Sequence, residues 1–212
     1  MRERIRSAEE FRAAFDVSRE TLARLQHHVA LLEKWNPRIN LVGAGTLGSV
    51  WRRHVADSAQ LWRYRPASAG IWLDLGSGGG FPGLVIAALA EGFAVEVHIV
   101  EADTRKAAFL ATVIREAAIA AVLHVGRIEA LALPRADVVS ARALAPLTAL
   151  LGRAYSLRRP GGTALFPKGE AVHKELAEAG REWSFDYRLH PSMTAPGAAV
   201  VEVGAIHGPR PA

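Results

Sequence analysis

The sequence predicts an α/β protein built on a mostly parallel β-sheet, and three observations support this prediction. After residue 70, short β-type runs alternate with helical stretches, which is typical of parallel strands joined by crossover helices. The last 30 residues hold two strand-like runs joined by a Pro-Gly-containing connection, which predicts an antiparallel hairpin at the end of the sheet. The first 64 residues show only helical patterns, so a small helical region is expected before the sheet.

The helical region is predicted to contain three helices. The capping-box pattern Ser7–Glu10 starts the first helix, and Phe11 and Phe15 follow on one face. The second helix starts after Ser18 and is expected to end at Asn36-Pro37, because proline disfavours the helical conformation in the residue before it. After a loop over residues 40–48, a third helix carries polar side chains, namely Arg52, Arg53, His54, Asp57 and Arg63.

The sheet region is predicted from the alternation of the two patterns. Strands are expected over residues 71–75, 95–100, 122–125, 138–140 and 163–166, and the hairpin strands over 185–189 and 198–206. Helices are expected over residues 82–90, 105–118 and 146–157. Residues 66–70 have the composition of a linker, so we expect a helical region at 1–64 and a sheet domain at 65–212.

Composition and charge restrict the classes of function. The chain has 212 residues and no cysteine, which excludes disulfides, cysteine-ligated metals and thiolate nucleophiles. Residues 1–70 hold 12 Lys and Arg against 7 Asp and Glu, whereas the rest of the chain is balanced at 14 of each. A basic N-terminal region favours a polyanionic partner such as RNA, although surplus arginine also serves solubility alone. The histidines lack metal-ligand spacing, so no metal is expected.

No stretch of the sequence predicts export or membrane insertion. The charge-dense segment Met1–Arg6 leads into no apolar run, and the longest uncharged segment, Leu75–Ala90, is broken by five glycines and Pro82. We therefore expect a soluble cytoplasmic protein without a membrane partner.

The sharpest local motif is the glycine cluster that follows the first predicted strand. Residues 76–83 read Gly-Ser-Gly-Gly-Gly-Phe-Pro-Gly, and such a loop lets a ligand approach the backbone at the strand's carboxyl end. Gly78, Gly80 and Gly83 also match the dinucleotide pattern, with Glu101 23 residues after Gly78. Asp74 instead favours a ligand carrying an ammonium group and a sulfonium, such as S-adenosylmethionine, because a carboxylate repels pyrophosphate. Glu101 can accept hydrogen bonds from ribose hydroxyls in either case.

Several short motifs follow one another in a fixed order along the chain. They are Trp35-Asn36, Ile39-Asn40-Leu41, Arg53-His54 with Asp57-Ser58, Asp74 to Gly83, Lys106 with Phe109-Leu110, Arg127 with Glu129, Ala141-Arg142-Ala143 and Lys168-Gly169. Together they resemble the motifs of the bacterial ribosomal small-subunit methyltransferase G family, also called glucose-inhibited division protein B. The resemblance covers about residues 20–180. It implies a Rossmann-like class I S-adenosylmethionine-dependent methyltransferase domain after a small N-terminal helical region. It also implies methylation of N7 of one guanine in a 16S ribosomal RNA loop near the decoding centre, with 16S RNA or the small subunit as partner.

The motif positions and the resemblance together predict the site residues. The glycine loop and the second strand contribute Asp74, Ser77, Gly78 and Glu101 as candidate cofactor contacts, and the resemblance assigns cofactor contacts to Gly76, Phe81, Ile128, Glu129 and Arg142. Around the second strand's end the family often has aspartate and two lysines, whereas this chain has Glu101 and, further on, Arg105 and Lys106.

Guanine N7 carries a free lone pair, so its methylation depends on positioning and needs no general base. We therefore predict no certain catalytic residue and take Arg142 and Lys168 as candidates for substrate positioning. The RNA-contact candidates are Arg38, Arg52, Arg53 and His54, with Lys34, Arg63 and Arg65 beside them. His54 and Asp57 are expected to pair on a helix surface rather than to act as an acid–base dyad, and Trp35 and Trp51 are expected to pack in the core rather than to stack on bases.

Three hypotheses remain at this point. The first is the methyltransferase, the second is a nicotinamide-dependent oxidoreductase using the offset glycine pattern, and the third is an RNA-binding assembly factor with a vestigial pocket. Cofactor binding and methyl transfer to ribosomal particles distinguish the three.

Overall fold

The computed structural model describes residues 5–211, so most of the charge-dense segment Met1–Arg6 lies outside the described residues. Helix α1 spans Ala8–Phe15 and begins as predicted, because Ser7 Oγ accepts a hydrogen bond from Glu10 N at 3.2 Å. Helix α2 spans Arg19–Ile39, and its first turn is capped by Ser18.

The end of α2 differs from the prediction. The helix continues through Pro37 to Ile39, because a proline in the last turn removes only one intrahelical hydrogen bond. Asn40 then ends the helix in the left-handed conformation, and its N–H donates to Asn36 O. The side chain of Asn36 fixes the exit of the chain by accepting from Val42 N at 2.8 Å.

The third predicted helix is present but irregular. A 3₁₀ turn at Ala44–Ser49, within the predicted loop, leads into a π-helical turn at Trp51–Ala56. The short helix α3 at Asp57–Ala59 and a 3₁₀ turn at Gln60–Tyr64 complete the segment. Wide π-helical turns are frequent at functional sites, and this one carries Arg53 and His54.

A seven-stranded sheet confirms the predicted fold class. Its strands are β1 Ile71–Leu75, β2 Glu96–Glu101, β3 Val122–Val125, β4 Ala136–Ala141, β5 Arg158–Lys168, β6 Trp183–Pro191 and β7 Ala199–Pro209. The spatial order is β3-β2-β1-β4-β5-β7-β6; the first five strands run parallel, and β7 is antiparallel to both β5 and β6. The predicted C-terminal hairpin is therefore correct.

Four helices connect the strands. They are α4 Gly83–Leu89, α5 Thr104–Glu116, α6 Leu147–Leu157 and α7 Val172–Glu182, and a 3₁₀ turn at Ile128–Ala130 follows β3. Helix α7 was not predicted, and its buried face contains only Val172, Leu176 and Ala179.

The hydrophobic core has two layers, one on each face of the sheet. The first layer joins Phe11 and Leu25 of the N-terminal helices to Trp72 of β1 and to α4 and α5. The second layer packs α6 and α7 against the other face, around Leu73 and Phe166. The division into regions 1–64 and 65–212 stays a prediction, since the N-terminal helices and the sheet share the first layer. Within residues 5–211, no helix combines the length and apolar character needed to span a bilayer.

Candidate active site at the carboxyl edge of the sheet

The glycine loop connects β1 to α4 at the carboxyl edge of the parallel strands. Gly76, Gly78 and Gly80 have φ angles of 68°, 55° and 89°, a region that L-residues with a side chain disfavour. Gly80 N and Phe81 N both donate to Ser77 O, at 2.8 and 3.0 Å. The cluster of glycines thus meets a backbone requirement of this turn.

Asp74 lies beneath the loop and is fully buried. Its Oδ2 accepts hydrogen bonds from Ser77 Oγ at 2.5 Å and Gly83 N at 3.0 Å, and its Oδ1 accepts from Ser140 Oγ at 2.7 Å. Burial raises the pKa of Asp74 to about 6, and these hydrogen bonds oppose the rise. Contact between this carboxylate and the ammonium group of a ligand stays a prediction. The loop covers the carboxylate, and Asp74 supports the loop's shape from below.

His28 of α2 holds the opposite side of the loop. The imidazole is fully buried, stacks on Phe81 with ring centroids 4.9 Å apart, and its Nε2 lies 2.8 Å from Gly79 O. Burial lowers the pKa of His28 to about 4, so the neutral ring donates its Nε2 proton to the carbonyl. A Cβ added to Gly80 would lie 2.9 Å from the imidazole.

Glu101 ends β2, as predicted, and its carboxylate reaches the loop. Oε2 accepts from Gly78 N and Oε1 from Asp103 N, both at 2.8 Å. Each carboxylate oxygen can accept a further hydrogen bond, so Glu101 retains acceptor capacity for a ligand's hydroxyls. Ile128 and Glu129 lie in the turn after β3, where Glu129 is exposed and pairs with Arg153 at 3.2 Å.

A cleft of about 690 Å³ adjoins this loop on the side of β4 and β5. The side chain of Leu144, in the segment after β4, lines the cleft and packs against the loop at Gly76, where an added Cβ would lie 2.6 Å from Leu144 Cδ1. It therefore lies between the loop and the cleft. The lining comes from the N-terminal segment, the β4 and β5 ends, α7 and the β6–β7 loop, and includes Thr46, Arg53, His54, Asp57, Arg142, Leu144, Lys168, Glu175, Ser192 and Thr194. A volume of this size suits one nucleotide rather than a duplex.

Arg142 follows β4 and projects toward the N-terminal segment. Its Nη1 donates to Arg53 O at 3.0 Å and lies 3.5 Å from Asp57 Oδ2, and its Nη2 lies 2.9 Å from His54 Nδ1. The guanidinium also lies 5.3 Å from the ring centre of Phe81. His54 and Asp57 therefore bond Arg142 instead of pairing with each other as expected. His54 is 8% exposed and lines the cleft, so it does not lie on an open helix surface, and its contact with RNA stays a prediction.

Lys168 ends β5 and lines the cleft. Its Nζ donates to Ala145 O at 3.0 Å and to Glu175 Oε2 at 2.8 Å. Only 9% of its side chain is exposed, so Lys168 is held in place rather than solvated.

The other basic candidates are dispersed. Lys34 and Arg38 are exposed on α2, Arg53 is exposed at the cleft, and Arg52 is half-buried. Arg63 and Arg65 lie against the rings of Phe15 and Trp62, at 5.2 and 3.7 Å from the ring centres. Trp35 and Trp51 are partly buried against the core, as expected.

Sequence reasoning missed three contributors to this site. His28, Ser140 and Thr194 were not identified, although each bonds a residue of the loop or the cleft. A signal existed for His28 alone, because it shares the apolar face of α2 with Leu25 and Leu32. Within residues 5–211, no group of three or more His, Asp or Glu side chains could hold a metal ion.

A family model described as GidB, rRNA small subunit methyltransferase G, matches residues 21–200. The chain belongs to this family. A Ribosomal RNA small subunit methyltransferase G from Rhodospirillum centenum (strain ATCC 51521 / SW) is 51% identical over 199 residues, covering 94% of this chain and 91% of that protein. Its counterpart from Cereibacter sphaeroides (strain ATCC 17025 / ATH 2.4.3) is 48% identical over 195 residues, covering 91% and 94%.

The fold is that of class I methyltransferases. The crystal structure of an O-methyltransferase from Bacillus cereus in complex with SAH superposes with a TM-score of 0.57 at 15% identity, covering 94% of this chain and 100% of that one. Membership of the family makes this chain a methyltransferase and confirms the resemblance seen in the sequence motifs.

The nicotinamide alternative and the vestigial-pocket alternative find no support. In a dinucleotide site, the pyrophosphate takes the free N–H groups at the start of the helix after the glycine loop. Here Gly83 N at the start of α4 already donates to the buried carboxylate of Asp74, and Leu84 N donates to Gly80 O. The carboxylate of Asp74 thus engages a backbone N–H that the pyrophosphate of a dinucleotide would need.

Proposed function

We propose that this protein transfers a methyl group from S-adenosylmethionine to N7 of a guanine in a loop of 16S ribosomal RNA. The proposal rests on one observation: the glycine loop and a cleft large enough for one nucleotide lie side by side at one edge of a methyltransferase fold. The names of the family and of its relatives supply the substrate, ribosomal RNA of the small subunit. We therefore propose that the methyl transfer takes place in the cytoplasm, where small subunits are assembled.

Glycines let a ligand approach the backbone of this loop closely, which suits S-adenosylmethionine. At Gly76 an added Cβ would lie 2.6 Å from Leu144, and Gly78 N donates to the carboxylate of Glu101, which retains acceptor capacity for hydroxyls of the ligand. We assign cofactor contact to Gly76, Ser77, Gly78, Glu101 and to the turn at Ile128-Glu129, with Phe81 and Asp74 supporting the loop. When bound, S-adenosylmethionine supplies an electrophilic methyl group on a positively charged sulfur.

The polar groups of the site suit a reaction that needs no base. Guanine N7 attacks through its own lone pair, so no proton has to leave before the bond forms. Burial, and next the charge of Arg142, lower the pKa of His54 to about 3, and its ring nitrogens are engaged by Arg142 and Thr46. The carboxylate of Asp74 is enclosed by protein donors. What the chain supplies is orientation, through Arg142 and Lys168 at the cleft, and orientation lowers barriers by up to about 7–11 kcal/mol.

A nucleoside assay tests the proposal directly. Purified protein is incubated with S-adenosylmethionine and with small subunits from cells that lack this methyltransferase. The RNA is then digested, and its nucleosides are separated by chromatography and identified by mass spectrometry. We expect one 7-methylguanosine per subunit with the wild type. A Gly76→Val variant is expected to lose it, because the added side chain meets Leu144. Gly92→Ala, on a loop where an added Cβ meets nothing within 4 Å, serves as the control and retains activity.

Methylation at another atom, or none by wild-type protein that binds S-adenosylmethionine, contradicts the proposal. In the first case the mass spectrum identifies the modified nucleoside, and in the second the protein binds RNA without modifying it.

A further inference from the structure

The guanidinium of Arg142 is fixed almost entirely by the N-terminal segment. Nη1 donates to Arg53 O and to Asp57 Oδ2, and Nη2 donates to His54 Nδ1. An arginine has five N–H donors, so three are in use. Within residues 5–211, neither Nε–H nor the second N–H of Nη2 has a protein partner, and 18% of the side chain is exposed at the cleft.

His54 is built to accept from Arg142. Its Nε2 lies 2.7 Å from Thr46 Oγ1, which itself donates to Gly43 O at 2.6 Å. The threonine hydroxyl therefore accepts from His54, so the ring carries its proton on Nε2 and offers the lone pair of Nδ1. Arg142 and Arg53 are the charged groups that act on His54, and both oppose its protonation, as would a proton on the neutral ring of His28.

Asp57 is fixed from the far end of the chain. Its Oδ1 accepts from Gln60 Nε2 at 2.9 Å and from Thr194 Oγ1 at 2.8 Å. Gln60 Oε1 accepts from Met193 N at 2.9 Å, and Arg63 Nη1 donates to Met193 Sδ at 3.2 Å, so three hydrogen bonds attach the β6–β7 loop to the same segment. Both carboxylate oxygens of Asp57 are hydrogen-bonded, so the carboxylate is held in one orientation toward Arg142.

We infer that His54 and Asp57 are positioning residues, which aim the two remaining donors of Arg142 at an oxygen acceptor of the RNA substrate. The inference rests on the proposed function and adds the role of the N-terminal segment, which orients an arginine across the cleft. The acceptor is a phosphate oxygen or O6 of the target guanine, since a guanidinium bonds either.

Kinetics and binding of variants test the inference. His54→Leu removes the acceptor, and His54→Asn restores an oxygen near the position of Nδ1. The matched control is His207→Asn, on an exposed histidine at the end of β7. We measure kcat and KM for small subunits, affinity for subunits without S-adenosylmethionine, affinity for S-adenosylhomocysteine by calorimetry, and the pH profile.

The expected result is a loss of roughly 10- to 100-fold in kcat/KM for His54→Leu, the effect of a hydrogen bond to a charged group. His54→Asn is expected to recover most of the loss, and S-adenosylhomocysteine affinity is expected to stay within about twofold in all folded variants. An unchanged kcat/KM for His54→Leu overturns the inference. So does a pH profile in which His54→Asn removes an ionisation near the ordinary histidine value, since that indicates a general base.

A double-mutant cycle covers the case in which His54→Leu folds poorly. In an otherwise wild-type background Asp57→Asn should weaken subunit affinity, and in an Arg142→Ala background it should have no further effect, because Asp57 acts through the guanidinium. Additive losses overturn the inference. Because this readout is binding, it remains valid if the wild type fails to form 7-methylguanosine, so failure of the proposed function is recognised separately.

Synthetic RNA with 2-aminopurine at the target position distinguishes the two acceptors. This base lacks O6, so an Arg142→Ala penalty that disappears with it identifies O6, and a penalty that persists identifies a phosphate. Either penalty supports the inference, and no penalty with either RNA overturns it.

Discussion

Replacing Gly80 by alanine tests whether the glycine loop needs both its backbone conformation and the space beside it. Gly80 has φ 89°, and an added Cβ would lie 2.7 Å from Leu84 Cδ1 and 2.9 Å from the ring of His28. Gly92 provides the matched control, because it has φ 80° but nothing within 4 Å of an added Cβ. The left-handed conformation costs both variants about 1–2 kcal/mol. Overpacking adds about 1–3 kcal/mol to Gly80→Ala alone.

Urea unfolding should therefore show a loss of about 2–5 kcal/mol for Gly80→Ala and about 1–2 kcal/mol for Gly92→Ala. The added methyl group also displaces His28 from Gly79 O, to which it is bonded at 2.8 Å. We expect calorimetry to show weaker S-adenosylhomocysteine binding by Gly80→Ala and unchanged binding by Gly92→Ala. Equal unfolding midpoints and equal affinities for the two variants would refute the steric reasoning.

Three further variants test the buried polar groups. Burial raises the pKa of Asp74 to about 6. The protonated carboxyl therefore contributes its full stabilisation below about pH 4, and this stabilisation is lost as the pH rises through 6. Asp74→Asn should remove about 3 kcal/mol of this pH dependence, measured by urea unfolding at pH 4 and pH 7. Burial lowers the pKa of His28 to about 4. The neutral ring therefore contributes its stabilisation above about pH 6.5, and this stabilisation is lost as the pH falls toward 4. His28→Leu should remove a pH dependence of the unfolding free energy of similar size and opposite sign. An unchanged pH dependence in this variant counts against burial as the cause of the lowered pKa. Lys168→Met should cost about 1–3 kcal/mol, because Glu175 keeps its hydrogen bond from Leu147 N but loses the ion pair with Lys168. Lys174→Met, in an exposed pair, should cost less than about 1 kcal/mol by the same measurement.

The strands and the glycine loop could be predicted from the sequence because their signals are local. The buried run Ile71–Leu75 and the glycines after it indicate a strand and a turn without reference to the rest of the chain. Helix α7 escaped prediction because only three of its residues are buried, too few for a clear apolar period. The same limit explains α2, where a local rule about Pro37 predicted an end that the last helical turn does not require.

The side-chain partners could not be predicted, because each pair is far apart in sequence. Ser140 lies 66 positions from Asp74, and His54 lies 88 positions from Arg142. The position of Asp74 before the glycines predicts that it is close to the ligand, but the folded loop and the packing of β4 beside β1 show that Ser77, Gly83 and Ser140 already donate to its carboxylate. The burial of His54 could not be predicted for the same reason, because it depends on contacts with Arg142 and Thr46.

The hydrogen bond between Asp57 and Thr194 spans 137 positions of the chain, and it imposes an order on biosynthesis. The N-terminal helices and the first strands leave the translating ribosome early, but the segment that orients Arg142 is secured only after the final hairpin has emerged. A nascent chain that stops before residue 190 therefore carries the complete glycine loop and lacks the support of the cleft. The hydrogen bonds that support the cleft are therefore completed with the last strands to be made.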